Sequence, residues 1–182
     1  MNYVEPIRDS ETVRNIADYL KANNTRNFIM FFIGIYSGLR ISDILKLRVS
    51  DVKGKDRINI REKKTNKQKN LSINPVLKRE INIYCEGKKQ NEYLIPSREG
   101  INKPLGRCQA YLIMKEIGKK FNIPDLGTHT LRKTFGYHYY KKYKDVAMLQ
   151  EIFNHSSPSI TLKYIGINQE SIDKSFKDFK IF

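Results

Sequence analysis

One histidine and one arginine stand three residues apart in the stretch HTLRKTFG, as His129 and Arg132. On a helix, this spacing places both side chains on one face, with Cβ atoms about 5–6 Å apart. Arginine offers a planar fork of donors to a phosphate, and its positive charge opposes a metal ion beside the histidine. The pair therefore favours an anion site over a metal site, although by itself this spacing is most often structural.

A second candidate pair, His155 and Tyr164, lies nine residues apart in FNHSSPSITLKYIGI. The turn residues Ser156, Ser157 and Pro158 separate the two, and proline suits the first position of a short helix that Ser157 would cap. Tyr164 would then lie near the end of this helix, on the side of His155. A tyrosine more often packs in a core, and this chain has 11 of them. Tyr164 alone therefore indicates no chemistry.

The elements that must position these groups can be predicted from caps, hydrophobic spacing and turns. The pattern predicts one domain over 1–182, mainly α with a small antiparallel β-sheet (α+β). A short helix is expected around Ile41, Ile44 and Leu45, and a β-hairpin at Arg57–Arg61 and Asn70–Ile73 with a basic tip. The other expected helices span about 10–22, 25–37, 75–88, 106–121, 130–143, 145–153 and 157–164, with an amphipathic segment at 169–179.

The net charge of the chain limits which kinds of partner it can bind. Thirty-four Lys and Arg against 19 Asp and Glu give a net charge of +15 and a pI of about 9.8. A domain this basic usually meets a polyanion such as nucleic acid. A cationic ribosomal-type or membrane-surface protein is the alternative.

Other classes find little support. The three histidines form no HxxxH or HxD pattern, so we expect neither a metal nor another cofactor. Cys85 and Cys108 stand outside any CxxC motif and are expected to be buried free thiols. The apolar run Phe28–Leu39 is too short to span a bilayer and predicts a buried helix. With no signal peptide at the first residues, we expect a cytoplasmic protein with no membrane partner.

Three stretches together resemble the signature of the tyrosine recombinases, the phage integrase family. SGLRISDILKL at 37–47 matches G-L-R-x-x-[DE], HTLRKTFG matches H-x-L-R, and FNHSSPSITLKY matches L-G-H-[SA]-S followed by T-x-x-Y. A hairpin lysine completes an ordered set of six, and the resemblance covers about 25–167. The matching catalytic positions are Arg40, Lys64, His129, Arg132, His155 and Tyr164. Asn154 stands where the family usually has glycine, and asparagine tolerates a left-handed backbone.

The resemblance implies the catalytic-domain fold of this family and a site-specific DNA recombinase, used in DNA integration and by mobile elements. The enzyme would cleave and rejoin DNA through a covalent 3′-phosphotyrosine on Tyr164, without metal or ATP. Two arginines, Arg40 and Arg132, would stabilise the charge that develops on the phosphate. His129 would act as general base, and His155 would donate a hydrogen bond to the phosphate.

The hairpin would supply the proton for the leaving 5′-oxygen. Lys64 is assigned this role because it precedes Thr65, as in the family's K-T pattern. Lys63, Lys67 and Lys69 share the hairpin and are the alternatives. These three, with Lys133, are also expected to contact DNA phosphates. Asp43 is expected to orient Arg40 from behind, and it could also form a surface ion pair with Arg40.

The expected partners are double-stranded DNA and further copies of the chain, as a tetramer on paired DNA sites. Arg40 lies so near the start that the family's N-terminal DNA-clamping domain is expected to be absent, which predicts weak autonomous DNA binding. Ile172, Phe176 and Phe179 mark one face of the C-terminal segment. In the family, such a tail packs into a neighbouring protomer, and packing within its own chain is the alternative.

Three competing functions stay open from sequence. A type IB topoisomerase-like strand transferase would use the same chemistry without strand exchange. A catalytically silent DNA-binding relative would not need Tyr164 together with both arginines. A metal-dependent nuclease would need an acidic cluster, which the sequence does not offer, and its activity would not survive EDTA.

Overall fold

The computed structural model describes residues 4–61, 68–167 and 176–179. Its helices and strands are, in chain order, α1 (Ser10–Asn23), α2 (Thr25–Ser37), α3 (Ile41–Ile44), α4 (Val49–Val52), β1 (Arg57–Arg61), β2 (Gln68–Ser72), α5 (Pro75–Tyr84), α6 (Arg107–Lys120), α7 (Thr128–Tyr143), α8 (Val146–Phe153) and α9 (Pro158–Tyr164). Strands β1 and β2 pair antiparallel, with Arg57 opposite Ser72 and Arg61 opposite Gln68. The predicted class, mainly α with a small antiparallel sheet, is confirmed.

Capping side chains account for where five of the described helices begin. Side chains of Asp9, Asn24, Asn74, Asp145 and Ser157 accept hydrogen bonds from backbone N–H groups in the first turns of α1, α2, α5, α8 and α9. Such a cap satisfies a donor that has no partner inside the helix.

The structure differs from the expectation in α4, in α5 and in β2. Helix α4 was not predicted, because Val49 and Val52 are its only two residues at helical apolar spacing. Helix α5 ends at Tyr84 instead of near Lys88, with buried Cys85 as its C-cap and Gly87 at φ +71° beyond it. Strand β2 begins at Gln68, two residues before the predicted start, because Gln68 and Lys69 pair with the end of β1.

The main core is built around α2. All residues from Phe28 to Gly34 are buried, which confirms the predicted buried helix. The helix packs against α1, α5 and α7. A Cβ atom on Gly34 would lie 2.7 Å from Leu131 of α7, so glycine permits the close approach of these two helices.

A second, smaller apolar cluster packs against α7. Its buried members Leu149, Phe153 and Ile165 come from α8 and from the residue after α9. Partly buried side chains of α7 and α9, Tyr164 among them, pack around it. We call this group the satellite core.

The expectation for the cysteines is half correct. Cys85 is buried and Cys108 is exposed. The core face of α6 carries Ala110, Ile113, Met114 and Ile117, and helical periodicity puts Cys108 on the opposite side. The prediction of a buried Cys108 is therefore wrong.

The expectations about a membrane-spanning helix and about the C-terminal segment can be compared only with the residues that the structure describes. No helix within 4–61, 68–167 and 176–179 is long and apolar enough to cross a membrane. Phe176 and Phe179 are largely exposed, whereas Ile172 lies outside the described residues. The placement of the C-terminal segment, in cis or in trans, stays a prediction.

Candidate active site

Arg40 follows directly on the turn that ends α2. Gly38 is the C-cap of that helix, with a left-handed backbone at φ +62°. A Cβ atom on Gly38 would lie 2.5 Å from the ring of Phe135, so the position requires glycine for both its backbone and its contact. Leu39 is buried and fixes the turn, and half-buried Arg40 then begins α3 in an extended conformation.

The first two turns of α7 carry His129 and Arg132. Arg132 is only 3% exposed. Its guanidinium donates to the carbonyl of Gly38 at 2.6 Å and to that of Phe153 at 2.8 Å. It also lies 4.3 Å from the centre of the Phe153 ring. Arg132 is therefore held between the turn before Arg40 and the end of α8, in a single orientation.

His155 follows the sharp turn that ends α8. Asn154 is in the left-handed region, at φ 58° and ψ 42°. Asparagine tolerates this backbone conformation better than most residues other than glycine. The Nδ1 atom of His155 lies 3.0 Å from the Thr161 hydroxyl, and Gln150 donates to the His155 carbonyl at 3.2 Å. The ring of His155 is thus oriented from α9, one turn before Tyr164.

Tyr164 contacts both His129 and His155. Its Oη atom lies 3.5 Å from Nδ1 of His129, across 35 residues of chain. Its ring centre lies 5.2 Å from that of His155 and 5.5 Å from that of Phe153, both edge-on. The structure therefore brings together five of the six matched positions: Arg40, His129, Arg132, His155 and Tyr164.

Burial moves the pKa values of the phenol and the imidazole apart. It raises the pKa of Tyr164, against the opposing effect of Arg132 and Arg40. The ring of His129 reaches the surface, yet desolvation by surrounding atoms lowers its pKa, and the charges of Arg132 and Lys133 lower it further. At neutral pH this favours a protonated phenol beside an unprotonated imidazole.

The hairpin lysines are only partly described. Lys63, Lys64 and Lys67 lie outside the described residues, so their roles stay predictions. Lys69 is half-buried on β2 and donates to the Ile152 carbonyl near the end of α8. Its predicted contact with DNA also stays a prediction.

Lys133 lies inside the site. Its side chain is only 6% exposed, and its ammonium lies 5.3 Å from the centre of the Tyr164 ring. Burial lowers its pKa, and Glu5 opposes that change. Its DNA contact stays a prediction, and such a buried ammonium can reach only a phosphate that enters the site.

Asp43 is buried in α3, with 3% of its surface exposed. The expected surface ion pair of Asp43 with Arg40 is therefore wrong, because Asp43 does not lie at the surface. The Asp43 amide donates to the Arg40 carbonyl at 2.8 Å, so the two residues share one turn. The orienting role of Asp43 stays a prediction.

Sequence reasoning missed two contributors to the site. Phe153 accepts Arg132 at its carbonyl and contacts three site residues with its ring, but a lone phenylalanine carries no chemical signal. Thr161 is fully buried and lies in the matched T-x-x-Y stretch, where its spacing from Tyr164 was the available hint. Within the described part of the chain, no group of three or more His, Cys, Asp or Glu could hold a metal ion.

Comparison with known proteins identifies the family of the chain. The model of the phage integrase family matches residues 8–171. The probable integrase/recombinase YoeC of Bacillus subtilis is 47% identical over 179 residues, 98% of each chain. The tyrosine recombinase XerA of Pyrococcus horikoshii is 26% identical over 163 residues, which are 88% of this chain and 57% of that protein.

Solved structures share the fold. A crystal structure of XerA recombinase superposes with a TM-score of 0.77 at 20% identity, over 96% of this chain and 63% of that one. A post-cleavage complex of XerH recombinase on a palindromic difH substrate gives 0.75 at 19% identity, over 94% and 51%. The family membership of this chain rests on two findings. The family model matches most of its length, and one relative is 47% identical to it. This chain belongs to the phage integrase family, the tyrosine recombinases, which are DNA strand-transferring enzymes.

Proposed function

We propose that the chain is the catalytic domain, over 1–182, of a site-specific DNA recombinase with Tyr164 as its nucleophile. The phenol oxygen attacks a DNA phosphate, the bond to the 5′-oxygen breaks, and a 3′-phosphotyrosine and a 5′-hydroxyl result. Attack by another 5′-hydroxyl reverses the chemistry and joins a new strand pair. The 3.5 Å approach of Tyr164 to His129, beside an immobilised Arg132, is the observation that carries this proposal.

His129 serves as the base for the phenol proton. A tyrosine with an ordinary pKa near 10 would need about 4 kcal/mol to ionise at pH 7, and burial raises the pKa of Tyr164 above that. The proton must therefore leave as the new bond forms. Because the pKa of His129 is lowered, its imidazole is neutral at pH 7 and can accept that proton.

The arginines and His155 hold the phosphate. Arg132 is fixed by two backbone carbonyls, so it needs no reorganisation when charge develops on the phosphate oxygens. Arg40 adds a second cation from α3. The contact of its Nδ1 atom with the Thr161 hydroxyl orients His155, and its Nε2 atom donates a hydrogen bond to a phosphate oxygen. Lys64 protonates the departing 5′-oxygen.

The partner in this proposal is double-stranded DNA, bound in the cytoplasm by a tetramer of the chain on paired sites. The net charge of +15 supports contact with DNA phosphates. A relative of the same fold was solved on a DNA substrate. Integration or excision of a mobile element is the corresponding role.

Covalent trapping tests the nucleophile. The protein is mixed with supercoiled plasmid in EDTA, quenched with SDS and digested, and peptides are searched by mass spectrometry for a nucleotide on tyrosine. We expect the adduct on Tyr164, its loss in Tyr164→Phe, and its retention in Tyr143→Phe, which alters an exposed tyrosine of α7. An adduct that survives Tyr164→Phe, or cleavage that stops in EDTA, would contradict the proposal. DNA binding without any adduct, including on nicked suicide substrates, would identify a silent relative.

A further inference from the structure

The residues before α1 form an extended segment, 4–9, that lies along α7; we call it the N-terminal strap. Ile7 is buried, and its amide donates to the Thr134 hydroxyl at 2.9 Å. The Ile7 carbonyl lies 2.9 Å from Nε2 of His138. Thr134 and His138 are one turn apart on α7, so both backbone groups of Ile7 are fixed to this helix.

The strap also contacts the turn that follows Tyr164. Arg8 donates to the Gly166 carbonyl at 3.2 Å, and its guanidinium pairs with Glu5 at 2.9 Å. Gly166 has φ +77°, and a Cβ atom there would lie 2.7 Å from Nη2 of Arg8 and 3.1 Å from the Glu5 carboxylate. The strap therefore passes directly over Gly166, two residues beyond Tyr164.

This arrangement links the two helices whose separation determines the reacting distance. Tyr164 is on α9, which packs chiefly against α8, whereas His129 is on α7. Ile7 fixes the strap to α7, and Arg8 connects it to the end of α9. Glu5 acts electrostatically on Lys133, whose ammonium faces the Tyr164 ring.

We propose that Arg8, held by Glu5, is a positioning residue that sets where Tyr164 stands relative to His129. The inference rests on the proposed role of Tyr164 as nucleophile. The side chains of Arg8 and Glu5 are 50% and 47% exposed, so their pairing contributes little to global stability. A displacement of the nucleophile by about 1 Å can nevertheless slow a reaction by about 100-fold. The reaction rate should therefore respond to loss of Arg8 more than stability does.

The test compares Arg8→Ala with Arg14→Ala, which removes the same charge from an exposed position on α1. Hydrogen exchange of the free protein reports on the amides of Ile165 and Ile167, which close the last turn of α9. We expect these amides to exchange about five-fold or more faster in Arg8→Ala, since a terminal turn that loses a contact opens more often, and unchanged in Arg14→Ala.

The rate of Tyr164 adduct formation on saturating supercoiled plasmid supplies the second measurement. We expect it to fall about tenfold or more in Arg8→Ala, with the plasmid concentration for half-saturation equal to that of Arg14→Ala. Arg8→Lys, which keeps a donor, should recover most of the rate.

Three results would overturn the proposal. One is equal behaviour of Arg8→Ala and Arg14→Ala in exchange and rate. Another is faster exchange with an unchanged saturated rate, which makes the strap purely structural. The third is weaker plasmid binding at an unchanged rate, which makes Arg8 a DNA contact. Retention of the adduct in Tyr164→Phe would refute the proposed function instead. The hydrogen-exchange comparison of Arg8→Ala with Arg14→Ala uses no DNA, so it can fail or succeed independently of that result.

Discussion

Single residues in the site set the charge state of the two groups that the proposed proton transfer joins, Tyr164 and His129. Burial raises the pKa of Tyr164 and lowers that of His129, so each group is in its uncharged form at neutral pH. Pairs of titratable groups whose pKa values are pushed apart in this way are the usual pattern of an acid–base site. The cations that surround the pair act on His129 directly, because a positive neighbour disfavours a second positive charge.

The lowered pKa of His129 predicts the pH dependence of the reaction. The neutral base persists as pH falls to the ordinary histidine value, so the adduct-forming rate should decline only below it. Arg107, on the exposed start of α6, is one of the cations that lower this pKa. Arg107→Gln should therefore move the NMR titration midpoint of His129 upward. The shift should be partial, since desolvation is the larger cause.

The chain has three histidines, so their imidazole signals can be assigned by single substitutions. Arg14→Gln is the matched control, because Arg14 is not among the groups that act on His129. A midpoint at or above the ordinary histidine value in the unsubstituted protein would contradict the prediction.

At the scale of elements, the turn between α2 and α3 connects the two arginines. Gly38 directs the chain so that Arg40 begins α3, and its carbonyl accepts Arg132 from α7. Phe135, one turn further along α7, leaves no room for a side chain at this position. The turn therefore needs glycine for its backbone conformation and for its packing.

Two glycine substitutions separate these two requirements. Gly38→Ala should lower the free energy of unfolding by about 2–5 kcal/mol, from a left-handed alanine and from the forced contact with Phe135. Gly54→Ala, at φ +70° with nothing within 4 Å, should lower it by only about 1–2 kcal/mol. Urea denaturation measures both values. Equal losses would show that Phe135 adjusts freely, and a Gly38→Ala protein with full adduct formation would show that the turn does not position the arginines.

Across the whole molecule, Tyr164, the proposed nucleophile, packs in a different core from most of the fold. The main core surrounds α2, whereas Tyr164 packs with Leu149, Phe153 and Ile165 in the satellite core. Small clusters with few buried partners open at lower cost than the global core. Helices α8 and α9 are therefore expected to open together at lower cost than α2.

A matched pair of core substitutions tests this independence. Ile29 of α2 and Ile165 of the satellite core are both fully buried, and Ile→Val at either should cost about 0.5–1.5 kcal/mol. Ile29→Val should speed the slowest exchange throughout the protein. Ile165→Val should speed exchange chiefly in α8 and α9 and leave α2 unchanged. If Ile165→Val accelerates exchange in α2 equally, the two cores unfold together and the prediction is wrong.

What the sequence alone determined was mostly local. Caps at Asp9, Asn24 and Ser157 specify helix starts because their side chains bond neighbouring backbone groups, and the apolar run at Phe28 specifies a buried helix. The family and the matched catalytic set followed from ordered short motifs, in which each residue is judged beside its neighbours. The single-turn α4 gave too weak a signal, because only Val49 and Val52 show helical spacing there.

Only the tertiary structure decided how those motifs meet. The contact of Tyr164 with His129, the burial of Lys133 and the clamp of Arg132 between Gly38 and Phe153 all join residues from different elements. The strap is a stronger case, since Ile7 and Arg8 contact α7 and Gly166 across 127 and 158 residues. Contacts over such separations depend on how apolar faces pack together, and no local pattern of residue types encodes the distance between two side chains.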